Sequence, residues 1–175
     1  MKQIMCLFGD SIVWDSGDPE NRSWGVRLQN YFETNNYRIN IYNFGVAGNT
    51  TSDLLLRFEP ECKSKGPNII IFAIGINDSK FIGKDNNQCI VPLEKFQNNL
   101  EKLINQAKEI TGKIIFLGLT TVDESKTMSV FWEGEDTNTF FSNAKINLYN
   151  LKIQEISQKN NLLFINMLDL LSSSD

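Results

Sequence analysis

The tightest constraint on the fold is a rhythm. Five short runs of strand character, 4–8 (IMCLF), 38–43 (RINIYN), 68–74 (NIIIFAI), 113–119 (KIIFLGL) and 162–165 (LLFI), alternate with longer amphipathic stretches along the chain. Runs this short, rich in isoleucine and phenylalanine and punctuated by glycine, read as strands. The third is apolar on both faces, as suits a central strand of a parallel sheet. Between the runs the apolar residues recur at helical spacing: Trp24, Leu28, Tyr31 and Phe32, then Leu54, Leu55 and Phe58, then Phe96, Leu100, Leu103, Ile104, Ala107 and Ile110, then Ile146, Tyr149, Ile153 and Ile156. Thr50 and Asp53 have capping-box spacing ahead of the second stretch. Pro92 suits the first turn of the third, and Gly112 its stop. Strands joined through helices imply right-handed crossovers and a parallel sheet covered on both faces, an α/β/α sandwich of three layers. One domain over 1–175 is expected, because 175 residues can bury a sizeable core.

Composition narrows the chemistry. Seventeen basic against 21 acidic residues give a net charge of −4, which argues against nucleic acid or an anionic membrane as partner. The cysteines, Cys6, Cys62 and Cys89, form no C-x-x-C pair, so neither a zinc site nor a disulfide framework is expected; a reducing, cytoplasmic compartment suits them, the alternative being a mature chain whose signal has been removed. No apolar run reaches the ~18 residues of a membrane span, and the five before Gly9 are too few for a signal-peptide core. There is no histidine at all. That removes the commonest metal ligand and the commonest general base at neutral pH.

In a parallel sheet, ligands bind beyond the carboxyl ends of the strands. After the first strand stands Gly9-Asp10-Ser11-Ile12, where Ser11 could be presented clear of the sheet; alone, the motif is equally a helix cap. After the second stands 43–50 (NFGVAGNT), whose two glycines permit close backbone approach to a bound group, or simply form a strand-to-helix turn. After the third stands Gly75-Ile76-Asn77-Asp78, where an asparagine amide could donate to an oxyanion, or form an ordinary Asn-Asp turn.

Together, on successive strand ends, these blocks resemble those of the SGNH (GDSL-type) hydrolases, which combine a serine in G-D-S, a glycine, an asparagine in G-x-N-D and a late histidine in D-x-x-H. The resemblance runs along essentially the whole chain, with Ile12 where leucine is usual. It implies a flavodoxin-like five-stranded parallel sheet of order 2-1-3-4-5. It also implies a serine esterase for small acyl or acetyl esters without cofactor or metal. Ser11 would be the nucleophile, with the Ser11 and Gly48 backbone N–H groups and the Asn77 amide as the oxyanion hole. Asp10 and Asp78, beside those residues, are expected to contribute to substrate binding.

The D-x-x-H block is not found in this sequence. Three explanations follow: a chain that stops at LLFINMLDLLSSSD just short of that block, an inactive binding module of the same fold, or another base. Asp78 and Asp169 are the nearest candidates for such a base, but a carboxylate with an ordinary pKa near 4 is poor at the task. A nucleotide-binding reading of Gly45 and Gly48 is weaker, because neither full phosphate-loop pattern is present. Trp14 and Trp24 are expected in the core, and Phe131-Trp132, in the long loop 120–138, over the strand ends as part of a lid. The acidic residues around that pair, and Lys80, Lys84 and Asp85, read as solvated surface.

Overall fold

A computed structural model describes residues 2–14, 17, 23–82, 88–130 and 139–172. Five parallel strands, β1 (Gln3–Gly9), β2 (Ile39–Gly45), β3 (Ile69–Ala73), β4 (Ile114–Leu117) and β5 (Leu163–Ile165), form one sheet in the order β2-β1-β3-β4-β5. This is the expected architecture. The helices are α1 (Ser11–Trp14), α2 (Trp24–Thr34), α3 (Thr51–Lys65), α4 (Ile76–Ser79), α5 (Leu93–Lys108), α6 (Glu124–Thr127), α7 (Asn143–Lys159) and α8 (Met167–Ser172). The alternating side chains of the strands sort into two layers of core. Cys6, Phe8, Ile70, Phe72 and Phe116 face α3, α5 and α7, while Met5, Leu7 and Ile71 face Val13 of α1 and Trp24, Leu28 and Phe32 of α2.

The register carries a pattern that positions everything beyond it. Phe44, Phe8, Phe72, Phe116 and Phe164 stand side by side, one from each strand in sheet order. Phe8 and Phe44 stack at 4.9 Å, and Phe72 and Phe116 at 5.0 Å. Contacts of this kind add about 0.5–1.5 kcal/mol per pair beyond area burial. The next level along the three strands β2, β1 and β3 is Gly45, Gly9 and Ala73. A row of large rings is thus followed at once by a row of almost no side chain, and the sheet there offers bare backbone.

The expected helix starts hold, with local reasons, but the expected stop at Gly112 does not: α5 is capped earlier, at Glu109. At the start of α3, Thr50 caps Asp53 N and Asp53 returns the bond to Thr50 N at 2.8 Å, closing the capping box. Pro92 is the N-cap of α5, which ends at Lys108, short of Gly112. Two differences matter for the site. Asn77 is not at a strand end: β3 stops at Ala73, and Asn77 lies in the single turn α4. The long segments after Asn77 and after β4 are not plain loops. They contribute Phe81–Ile82 and Met128–Val130, which pair on either side of Thr139–Phe140 in a small antiparallel sheet. Lys84, Asp85 and Phe131-Trp132 lie outside the described residues.

Candidate active site

Ser11 opens α1, and the glycine row explains how that turn lies against the sheet. A Cβ on Gly45 would come within 2.2 Å of Trp14 N, and one on Gly9 within 2.3 Å of Val13 Cγ2. No side chain fits at either place, so the helical turn rests directly on the ends of β1 and β2. Hydrogen bonds at both ends hold it. The Asp10 carboxylate accepts from Ile12 N at 2.9 Å and the Asp10 carbonyl from Trp14 N at 3.0 Å. Asn43 Nδ2 donates to Val13 O at 2.6 Å, and Trp24 Nε1 to Ile12 O at 3.2 Å. Asp10 is therefore the cap of α1, and its carboxylate is buried.

The second block folds against the first. Val46 N donates to Gly9 O at 3.1 Å, continuing the strand pairing past Gly45, and Asn49 N closes a turn onto Val46 O at 3.2 Å. Gly48 lies inside that turn at φ +77°, the left-handed region that glycine enters without strain. The third block reaches across from β3. Gly75, at φ +134°, turns the chain beneath Phe96 and Leu119, and α4 then presents Asn77. Asn77 Nδ2 donates one hydrogen to Asn49 O at 3.1 Å, which leaves its second amide hydrogen to serve a ligand.

Three residues from three elements meet here. Ser11, Gly48 and Asn77 line one cavity of about 410 Å³, together with Lys80, Thr127 and Phe141. A second cavity of about 230 Å³ lies alongside, lined by Asp10, Trp24, Leu117, Leu119 and Met167 among others, and Ile12 and Ile76 wall both. Trp14, expected in the core, is 58% exposed, because α1 turns it outward. Lys80 sits in the site wall rather than on plain surface.

The structure does not place Asp78 where a substrate contact belongs. Its side chain is fully buried and accepts from Thr51 N at 3.0 and 3.1 Å and from Thr51 Oγ1, while Asn99 Nδ2 donates to the same Thr51 hydroxyl at 3.0 Å. It fastens α4 to the start of α3, and it lines neither cavity. Asp169 is likewise elsewhere, in α8, where its carboxylate accepts from Asn166 Nδ2 at 2.7 Å. Burial pushes the Asp10 carboxyl up to about 6, against the pull of the Ile12 N–H. Burial also pushes Asp78 up to about 7, opposed by the Thr51 bonds and reinforced by the charge of Asp10. Among the described residues no three His, Cys, Asp or Glu side chains gather as a metal site would require.

Sequence reasoning missed Asn43, Thr51 and Arg57. Arg57 Nε donates to Asn49 Oδ1 at 2.8 Å and an Arg57 Nη to Gly9 O at 3.1 Å. Nothing but helical spacing marked it in the sequence.

A parallel sheet of this order, with serine, glycine and asparagine gathered on one cavity at its carboxyl edge, defines an SGNH-type hydrolase architecture. The comparisons agree. The model of the GDSL-like lipase/acylhydrolase family matches residues 7–175, and the chain belongs to that family. It is 23% identical over 117 residues to the esterase TesA of Pseudomonas aeruginosa, covering 67% of this chain and 54% of that protein. It is 29% identical over 107 residues to the uncharacterised lipoprotein YqeF of Bacillus subtilis, covering 58% of this chain and 42% of that protein. The chain spans about half the length of the curated relatives it matches. Among solved structures, a catalytic mutant of the acetylxylan esterase Axe2 from Geobacillus stearothermophilus superposes with a TM-score of 0.73 at 20% identity, covering 100% of this chain and 84% of that one. No helix among the described residues is long and apolar enough to cross a membrane.

Proposed function

We propose that the chain is an ester hydrolase that works through an acyl-enzyme on Ser11 and takes small acyl or acetyl esters. The observation that carries this reading is the shared cavity of Ser11, Gly48 and Asn77. In it, Ser11 Oγ attacks the ester carbonyl carbon. The carbonyl oxygen, now negative, is held by the backbone N–H groups of Ser11 and Gly48 and by the free amide hydrogen of Asn77. Collapse of this intermediate expels the alcohol and leaves the acyl group on Ser11, and water then releases the acid. The donors are set before substrate arrives, so they stabilise the developing charge without reorganising. TesA and Axe2, an esterase and an acetylxylan esterase, support the choice of ester chemistry. Free thiols at Cys6, Cys62 and Cys89 fit a reducing, cytoplasmic setting.

The proton of Ser11 needs an acceptor, and no histidine is present to take it. Lys80 is the one cationic side chain in the described wall of the cavity. Attack by Ser11 is therefore expected to be slow unless a base is supplied. The test is labelling with a p-nitrophenyl phosphonate, with the adduct located by mass spectrometry and with Ser11→Ala as control. The expected result is slow labelling confined to Ser11 and accelerated by added imidazole. No labelling of Ser11 with or without imidazole would replace this reading with a second one, a non-catalytic binding module, which the missing histidine favours.

A further inference from the structure

We infer that Arg57 is a positioning residue that sets the relative placement of all three oxyanion donors, an inference that rests on the ester-hydrolase reading of the same cavity. Arg57 lies two turns into α3, outside the cavity lining. Its guanidinium donates in three directions. One Nη reaches Gly9 O at 3.1 Å, Nε reaches Asn49 Oδ1 at 2.8 Å, and the other Nη pairs with Glu61 at 2.7 Å. Each inner partner is a neighbour of an oxyanion donor. Gly9 precedes Ser11 by two residues in the turn onto α1. Asn49 follows Gly48 directly, and its carbonyl is what holds Asn77 Nδ2. The strand end leading into Ser11, the loop carrying Gly48 and the amide of Asn77 are thus tied to a single planar group.

The chemistry of the contact requires a guanidinium. Its donors diverge at fixed angles in one plane, so two acceptors on separate segments are held at a fixed separation. A lysine ammonium reaching the same place is a point donor on a flexible stem and fixes one distance at most. The side chain is 18% exposed and Glu61 31%, so the inner bonds are shielded and the ion pair with Glu61 lies toward solvent. Glu61 orients the fork through one i,i+4 pair, whose own contribution is small. Misplacing a reacting or stabilising group by about 1 Å costs on the order of 10²-fold in rate.

The experiment compares Arg57→Lys, Arg57→Met and Glu61→Gln with the parent chain, by two readouts. The first is the ¹H–¹⁵N spectrum, followed at the Gly48 backbone amide and the Asn77 side-chain amide. The second is the kinetics of Ser11 labelling by a p-nitrophenyl phosphonate in imidazole buffer, resolved into a maximal rate and a half-saturating concentration. Arg57→Met and Arg57→Lys should both shift the two amides and lower the maximal rate by about 10²-fold, with little change in half-saturation. Glu61→Gln should leave both readouts close to the parent. Added guanidinium, at concentrations too low to unfold the chain, should restore part of the rate to Arg57→Met and none to Asn77→Ala. The inference is overturned if either folded Arg57 variant keeps the parent's amide shifts and rate, or if only half-saturation changes. Should Arg57→Met fail to fold, Arg57→Lys decides by the same measures. If the parent itself is not labelled, the ester-hydrolase reading fails on its own, and the two amide signals still decide whether Arg57 positions these donors.

Discussion

Replacing Asp78 with asparagine should change how stability depends on pH, and the direction follows from burial. The carboxyl of Asp78 is wholly enclosed and accepts two bonds from Thr51, from its N–H and its hydroxyl. Those bonds favour the charged form, yet enclosure outweighs them and raises the pKa from 3.8 to about 7. Between those values the native state holds a proton that the unfolded chain has released. Stability from this group is therefore complete below pH 3.8 and is lost as pH rises through about 7. At about 1.4 kcal/mol per pH unit, the loss approaches about 4 kcal/mol at most. Asp10, raised to about 6, adds to the decline in the same direction but finishes earlier.

Asparagine at position 78 cannot titrate. Its carbonyl can still accept from Thr51 N, and its amide can donate to Thr51 Oγ1. That hydroxyl already accepts from Asn99 Nδ2 and would have to turn its own hydrogen elsewhere, at a cost of about 1 kcal/mol. Urea unfolding followed by tryptophan fluorescence, from pH 3 to 8, should show the variant about 1 kcal/mol less stable than the parent at the acid end and more stable at the alkaline end, with the curves crossing between. Measuring the difference between the two chains cancels carboxylates common to both. Parallel profiles across pH 5 to 7.5 would refute the argument, because they would mean that the buried carboxyl titrates as an exposed one.

Two further expectations concern the site directly. Asn77→Ala removes the proposed oxyanion donor and the bond to Asn49 O, and should slow phosphonate labelling of Ser11 by about 10²–10³-fold while lowering stability by only about 1 kcal/mol, read by the same labelling assay and by urea unfolding. Gly45→Ala would place a Cβ 2.2 Å from Trp14 N, so α1 must lift from the sheet; thermal unfolding should report a loss of about 1–3 kcal/mol or more, accompanied by slower labelling because Ser11 moves with the turn.

The parallel sheet was legible because each strand had to be apolar on its buried faces, and the capping box at Thr50 was legible because both partners lie within one turn of sequence. The turns that present Ser11 and Asn77 were harder. A helix of four residues has almost no propensity of its own. α1 forms because Gly9 and Gly45 leave it room and Asn43 and Trp24 take its carbonyls, and these are tertiary facts. Asp78 was misplaced for the related reason that adjacency in sequence does not fix direction: on α4, Asn77 turns to the cavity and Asp78 turns to Thr51. Arg57 looks in sequence like any solvated helix position, because its acceptors are a backbone carbonyl 48 residues away and an amide oxygen eight residues away. The phenylalanine row was readable in principle. Phe8-Gly9, Phe44-Gly45 and Phe72-Ala73 repeat a large-then-small step at three strand ends. Only the register shows that the steps coincide.

That coincidence bears on the chemistry that remains without a histidine. The proposed oxyanion site would be built from the Ser11 and Gly48 backbone and one amide, held by the glycine row, the Asn49 turn and Arg57, and none of these parts depends on a base. Activating the serine is a separate task that needs a proton acceptor, and the sequence holds no histidine for it. In serine hydrolases stripped of a triad member, substrate binding and the oxyanion hole alone still give about 10³–10⁴-fold acceleration over water. If the donors are preorganised as their contacts indicate, this chain should keep an acceleration of that order, and imidazole should raise it further by acting on the proton alone. Added imidazole should therefore scale the rates of the parent, Asn77→Ala and Arg57→Met by a common factor. Unequal factors would show that the donors and the base are coupled, and that placing the oxyanion also depends on where the proton goes.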